Sequence, residues 1–263
     1  MLYVQLAAFP ILVTVAIVAG LQFARCRRWW IAVVLPLALF SLVIAGQRSP
    51  WLRFTASISW AVDADWEPML MTVAIGTVFA TLMPKLPQRR TRVFVAVAMA
   101  FMLVNYGLMP AALPLVGRKV LAGSATTIDR DGVCLQSHNY TCGPAAAVTC
   151  LARLGIRADE ATLAADSRCA PALGTDGYLL AVAVTRRFPE IRCVYRYVEG
   201  LEELRLPAVA DMNLPRIGGH YVAVLEVRGE AVVVGDPLSG KVDMPRGEFL
   251  AAWKHGAIEF SKR

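Results

Sequence analysis

Residues 3–24 run without a single charged side chain. This run constrains the fold more than any motif, because its length matches the roughly 20 residues a helix needs to cross a bilayer. Met1-Leu2-Tyr3 lacks the basic segment that opens a cleaved signal peptide, so the run reads as a retained helix. Three more apolar runs follow, at about 30–46, 68–83 and 93–116. They raise the hydrophobic share to 57%, above the roughly 45–50% of an ordinary soluble domain. The expectation is a transmembrane region of four helices over 1–122 and a separate domain over 123–263.

Charge divides the same way. Up to Lys119 there are 11 basic and 3 acidic residues, net +8; from Val120 onward there are 16 basic and 17 acidic, net −1. The basic balance therefore belongs to the flanks of the apolar runs, and nucleic acid is not expected as a partner. Loop one carries Arg25, Arg27 and Arg28, with Trp29-Trp30 as an interfacial anchor. Loop three carries Lys85, Arg89, Arg90 and Arg92, and neither loop holds an acid. Loop two, 47–67, mixes Arg48 and Arg53 with Asp63, Asp65 and Glu67, and with Trp51, Trp60 and Trp66 that suit the interface. Basic loops stay in the cytoplasm, so loops one and three are inside and the C-terminal domain is outside. The expected location is a bacterial-type inner membrane, with the lipid bilayer as one partner and the domain extracytoplasmic. Asn105 and Tyr106 mark the fourth run and read as packing residues; no pair of interrupted helices suggests a transporter.

Within the C-terminal domain, Gln136-Ser-His-Asn-Tyr-Thr-Cys142-Gly-Pro leads into Ala145–Leu154. Proline suits a first helical turn, the alanine-rich run forms helix well, and Gly155 ends it. Cys142 thus sits at a helix N-terminus, where free N–H groups favour a thiolate. Gln136 is an uncharged donor that could reach the same point. His220 opens the strand His-Tyr-Val-Ala-Val-Leu-Glu-Val, and Asp236 closes the next, with Arg228-Gly229-Glu230 as the hairpin loop between them. A three-residue loop places Asp236 diagonally beside His220 on one face, whereas a two-residue loop places them on opposite faces. The roles are then Cys142 as nucleophile, His220 as base and later acid, Asp236 as orienter, and Gln136 with the Cys142 N–H as oxyanion donors.

These residues resemble the papain-like double-glycine-leader peptidases, best known as the front domain of bacteriocin-exporting ABC transporters. The matching residues are Gln136, Cys142-Gly143-Pro144-Ala145, His220-Tyr221-Val222-Ala223-Val224 and Asp236-Pro237, within a resemblance running from about Thr126 to Phe260. It implies an α+β papain-like domain with helices packed on an antiparallel sheet. It also implies a peptide or protein substrate cut after a small-residue pair such as Gly-Gly, and no cofactor. No Gly-x4-Gly-Lys-Ser/Thr occurs, so no ATPase and no nucleotide are expected in this chain. Gly143, the Gly174-Thr175 turn and Gly218-Gly219 are the candidate substrate contacts. An outward domain requires a substrate already exported, or a separate membrane or export partner. Two alternatives stay open: a non-hydrolytic peptide-binding domain, and a peptidyl or acyl transferase using the same cysteine.

Setting Cys142 and the loop residue Cys26 aside leaves Cys134, Cys150, Cys169 and Cys193. An even remainder in an outside domain fits two disulfides, with three connectivities open. No Cys-x2–4-Cys spacing supports a metal site. The domain's remaining elements read as a helix at 159–166, a helix at 178–187 with a Thr/Asp cap, strands at 191–198 and 206–213, and a closing helix at 249–254.

Overall fold

The computed structural model describes residues 2–48, 67–171, 173–215 and 218–263. The interfacial residues expected at Trp51, Trp60, Trp66, Asp63 and Asp65 lie outside these. Packing divides the chain into Met1–Leu113 and Pro114–Arg263.

The N-terminal unit is helical: α1 (Leu2–Phe23), α2 (Ile31–Arg48), α3 (Glu67–Leu82), α4 (Arg89–Met102), a π-helical turn (Leu103–Leu108) and the start of α5 (Met109–Leu121). Among the described residues, three helical stretches are long and apolar enough to cross a membrane: Tyr3–Phe23, Glu67–Lys85 and Arg89–Leu121. The apolar part of α2, Ile31–Ala45, is shorter. Small residues let α1 and α3 approach closely. A Cβ on Gly76 would stand 2.8 Å from the Ala16 Cβ, and one on Gly20 would stand 2.7 Å from the Ala80 Cβ. Such contacts drive helix association where the hydrophobic effect is weak. The Thr81 hydroxyl donates to the Gly20 carbonyl at 3.2 Å across this seam. Gly107 sits in the π turn, where a side chain would strike Thr72 and Phe9. Asn105 donates to the Phe101 carbonyl at 2.8 Å and Tyr106 packs edge-on against Phe40, in keeping with packing roles. The Lys85 ammonium lies 4.5 Å over the Trp29 ring. This contact brings the two basic turns to the same end of the unit.

The C-terminal unit begins inside α5. Arg118 donates to the Ala165 carbonyl at 3.3 Å, and Leu121 is buried with Ala164 and Cys169. These contacts move the packing boundary ahead of the composition break at 122/123. A short hairpin of β1 (Thr127–Ile128) and β2 (Cys134–Leu135) precedes α6 (Cys142–Arg153), α7 (Glu160–Asp166) and α8 (Gly177–Arg187). Asp159 caps α7 through the Thr162 N–H at 2.7 Å, and Asp176 caps α8 through Tyr178 and Leu179. There follow β3 (Ile191–Tyr197), β4 (Ala208–Leu214), β5 (Gly218–Arg228), β6 (Ala231–Asp236), β7 (Gly240–Pro245), α9 (Arg246–Ala252) and β8 (Trp253–Lys262). The sheet is antiparallel in the order β3-β8-β4-β5-β6-β7.

The closing helix is thus α9, which ends before Trp253. The chain then returns as a strand between β3 and β4. One core joins α6 and α8 to Val209, Ala223, Ile258 and Phe260, and a second joins Met212, Val222, Val234, Phe249 and Trp253.

The hairpin register departs from the three-residue expectation. Arg228 pairs with Ala231, so the loop is Gly229-Glu230, and Gly229 takes a positive φ of 49°. A two-residue loop alone would put His220 and Asp236 on opposite faces. The ladder, however, skips Leu225: Glu226 pairs with Val233 and Val224 with Val234. This one-residue bulge restores the parity. Ala223 then pairs with Gly235, and continuing the ladder sets Asp236 on the His220 face.

Candidate active site

Cys142 is the first residue of α6, and the helix it opens is buried from Gly143 through Leu151. The loop leading to it is held by its own hydrogen bonds. The His138 carbonyl accepts from the Thr141 N–H at 3.2 Å and from the Thr141 hydroxyl at 3.0 Å. The Gln136 Nε2 donates to the same carbonyl at 2.9 Å, and the Gln136 backbone N–H donates to the Pro237 carbonyl at 2.9 Å. Gln136 is therefore tied both to the cysteine loop and to the turn after Asp236. One of its two amide protons remains uncommitted to the His138 carbonyl.

His220 is buried, at 3% exposure, and its Nε2 lies 2.7 Å from the Asp236 Oδ1. Cys142 also acts on the ring, and with Nε2 committed to Asp236 the Nδ1 is the nitrogen left for the sulfur. Asp236 accepts from the Leu238 N–H at 2.9 Å and the Ser239 hydroxyl at 2.8 Å. This turn fixes the carboxylate, and Asp236-Pro-Leu-Ser239 carries the sequence signal for it: an acid followed three residues later by a hydroxyl.

Burial alone pulls the His220 pKa down, but the hydrogen bonds to Asp236 and Cys142 and the charges of both outweigh it, and the pKa rises to about 9. Burial pushes the Asp236 carboxyl up, yet its bonds to His220, Leu238 and Ser239 hold it below the usual carboxylate range. The His220 contribution to stability is thus complete below its ordinary value of about 6.5 and is lost as pH rises through about 9. The Asp236 contribution is present above the ordinary carboxylate range and is lost as pH falls through its lowered value. A nucleophile, a histidine and an orienting acid in this order can carry acyl transfer through a thioester. If His220 protonates the leaving amine, kcat/KM for peptide cleavage should fall above pH about 9, whereas iodoacetamide alkylation should not fall there. A pH profile of both rates checks this.

A model of the Peptidase C39 family matches residues 130–263, just over half of the chain. The chain belongs to this family. An uncharacterized protein of Methanothermobacter thermautotrophicus is 29% identical over 125 residues, 48% of this chain and 84% of that protein. Another, from Methanothermobacter marburgensis, is 33% identical over 114 residues, covering 43% and 77%. Among solved structures, a double glycine motif protease from an AMS/PCAT transporter, in complex with the leader peptide, is 18% identical with a TM-score of 0.45. That match covers 54% of this chain and 96% of that one. A C39-like peptidase from Bacillus anthracis is also 18% identical, TM-score 0.45, covering 53% and 98%.

Of the candidate substrate contacts in this C39 domain, Gly143 is buried. A Cβ there would stand 3.2 Å from Thr175 and from Tyr221, and 3.3 Å from Leu180, so its missing side chain permits close packing. Thr175 is part of that contact, while Gly174 turns the chain with a φ of 69°. Gly218 is left-handed at 81°, and Gly219 leaves open space with the Lys254 Nζ 3.5 Å from a would-be Cβ. His138 bonds the Ser137 hydroxyl at 3.0 Å through Nδ1 and takes no part in the Cys142–His220–Asp236 line.

The disulfide expectation is not met: all six cysteines are free. Each of the four candidates is held by packing instead. The Cys169 thiol donates to the Tyr140 carbonyl at 3.1 Å, and Cys134 contacts the Leu135 carbonyl at 3.8 Å. Cys150 lies on the buried face of α6, and Cys193 packs against the same core. Burial pushes the Cys134 and Cys169 thiols up to about 12, and pushes Cys150 and Cys193 well above the thiol range. Burial therefore favours the neutral thiol at all four.

Sequence reasoning missed Glu160. The sequence places it only within the helix at 159–166 and gives it no role, whereas the residue is fully buried and bonds Ser137.

Proposed function

We propose that this C39 protein is a membrane-anchored cysteine peptidase that cleaves peptides after a small-residue pair such as Gly-Gly. The observation that carries the reading is His220, whose Nε2 lies 2.7 Å from the Asp236 Oδ1 and whose pKa is raised by Cys142 at the start of α6. Cys142 attacks the scissile carbonyl while His220 keeps the proton. Gln136 and the Cys142 N–H stabilise the oxyanion. His220 then protonates the leaving amine, and water, deprotonated by the same ring, hydrolyses the thioester.

Four helices, α1, α2, α3 and the α4–α5 stretch, act as the spans. Apolar residues on their outer flanks, including Ile11, Val15, Phe94, Val97 and Phe101, are exposed, a surface suited to hydrocarbon rather than water. The Lys85–Trp29 contact supports one shared basic end, which the positive-inside rule assigns to the cytoplasm. The peptidase domain then faces outward and meets a substrate that has already been exported. With the cysteines free, this orientation rests on the basic loops alone.

The test uses the detergent-solubilised full chain and a fluorogenic peptide ending in Gly-Gly-aminomethylcoumarin. Release of coumarin, stopped in step with iodoacetamide labelling of Cys142 at pH 6, supports the reading. Coumarin release that persists after complete Cys142 labelling overturns it.

A further inference from the structure

Glu160 is a buried acid that the proposed mechanism does not use. It opens α7, where an acid suits the helix dipole from the solvent side. Its side chain instead turns inward and has no exposure. Burying a carboxylate is costly unless it is well bonded. Its Oε1 accepts from the Ser137 N–H at 2.9 Å and from the Ser137 hydroxyl at 3.1 Å. Its Oε2 has no hydrogen-bond partner among the described residues. Every bond this carboxylate is seen to make therefore goes to one residue of the loop before Cys142.

Glu160 is itself rigidly set. Its N–H donates to the Thr126 hydroxyl at 2.8 Å, and that hydroxyl donates to the Asp159 Oδ2 at 2.8 Å. Asp166, at the far end of α7, pairs with Arg187 of α8 at 2.9 Å. Ser137 directly follows Gln136, whose own N–H is anchored to the Pro237 carbonyl. Two successive backbone N–H groups are thus pinned, one by the turn after Asp236 and one by Glu160. The Gln136 amide hangs between these pins.

We propose that Glu160 is a positioning residue that holds the oxyanion donor Gln136 in place through Ser137. The inference rests on the peptidase reading above. Without Glu160, the Ser137 end of the loop is free to shift, and the Gln136 amide drifts away from the developing oxyanion. A displacement of this kind, on the order of 1 Å, costs about 10²-fold in rate.

The experiment measures kcat and KM of the solubilised full chain on the Gly-Gly-aminomethylcoumarin peptide, and the iodoacetamide rate of Cys142. Glu160→Ala is expected to lower kcat about 10²-fold with KM unchanged. Glu160→Gln keeps an acceptor for Ser137 and is expected to stay within about threefold of wild type. In a Gln136→Ala background, Glu160→Ala should cost nothing further. Alkylation of Cys142 should be unchanged throughout, a readout that a merely structural role would not spare. If Glu160→Ala does not fold, Ser137→Ala takes its place: it removes the hydroxyl bond to Glu160 and leaves the backbone one, so it should lower kcat by less, and only while Gln136 is present. Multiplicative losses in the double variant overturn the proposal, as does slowed alkylation or a wild-type kcat in Glu160→Ala. Absent wild-type turnover overturns the peptidase reading itself, whereas wild-type turnover that ignores Glu160 overturns only this inference.

Discussion

Cys142→Ala is expected to remove coumarin release from the Gly-Gly peptide altogether, a loss of about 10⁴-fold or more. The sulfur is the only atom in the proposed site that forms a bond to substrate, so its removal leaves orientation and oxyanion stabilisation without a nucleophile. The variant should still fold. Cys142 is only partly buried at the start of α6, and the helix is held by Gly143–Leu151, which are buried independently of the thiol. Peptide binding, read by fluorescence anisotropy, should persist. Cys142→Ser should fail almost as completely, because a hydroxyl does not ionise near neutral pH. Burial pushes the Cys134 and Cys169 thiols up to about 12, which disfavours either as a substitute nucleophile. Retained turnover in Cys142→Ala would end the nucleophile assignment and the reading as a cysteine peptidase.

His220→Ala is the second large effect, with an expected loss of about 10⁴-fold in kcat/KM. The ring both stabilises the attacking sulfur and delivers the proton to the leaving amine, so two steps fail together. Iodoacetamide labelling of Cys142 at pH 6 should slow in parallel, because alkylation also needs the sulfur ionised. Gln136→Ala should separate these functions. It should cost about 10²-fold in cleavage through the lost oxyanion donor and leave alkylation unchanged. Asp236→Ala should fall between His220→Ala and Gln136→Ala. It removes the acceptor for the buried His220 Nε2, and an unpartnered buried donor costs about 1–3 kcal/mol. Its turn partners, the Leu238 N–H and the Ser239 hydroxyl, lie at the surface where water can replace the carboxylate. If His220→Ala and Gln136→Ala affect cleavage and alkylation alike, the division of labour is wrong.

Much of this protein was legible in local chemistry. The uncharged run at 3–24, the proline and alanines after Cys142, the glycine stop at Gly155 and the cap at Asp176 each act within one or two turns of chain, and each appears where expected. The types and order of the family's motif residues Cys142, His220 and Asp236 already imply one chemistry.

What the sequence left undecided depended on partners far away in the chain. The strand β8 was hidden because Gly256, and His255 at a positive φ of 60°, break its alternation. It forms because β3 and β4 both offer it an open edge. The face shared by His220 and Asp236 turned on a single unpaired residue, Leu225, and a period-2 pattern cannot register such a bulge before the partner strand is placed. An even count of cysteines suggested bridges, but pairing depends on distance and direction, and all four thiols stay free, three buried and Cys193 partly so. Glu160 shows the same limit in the candidate site. An acid at a helix start looks solvated from sequence alone, and only the fold turns it inward onto the loop that carries Gln136 and Cys142.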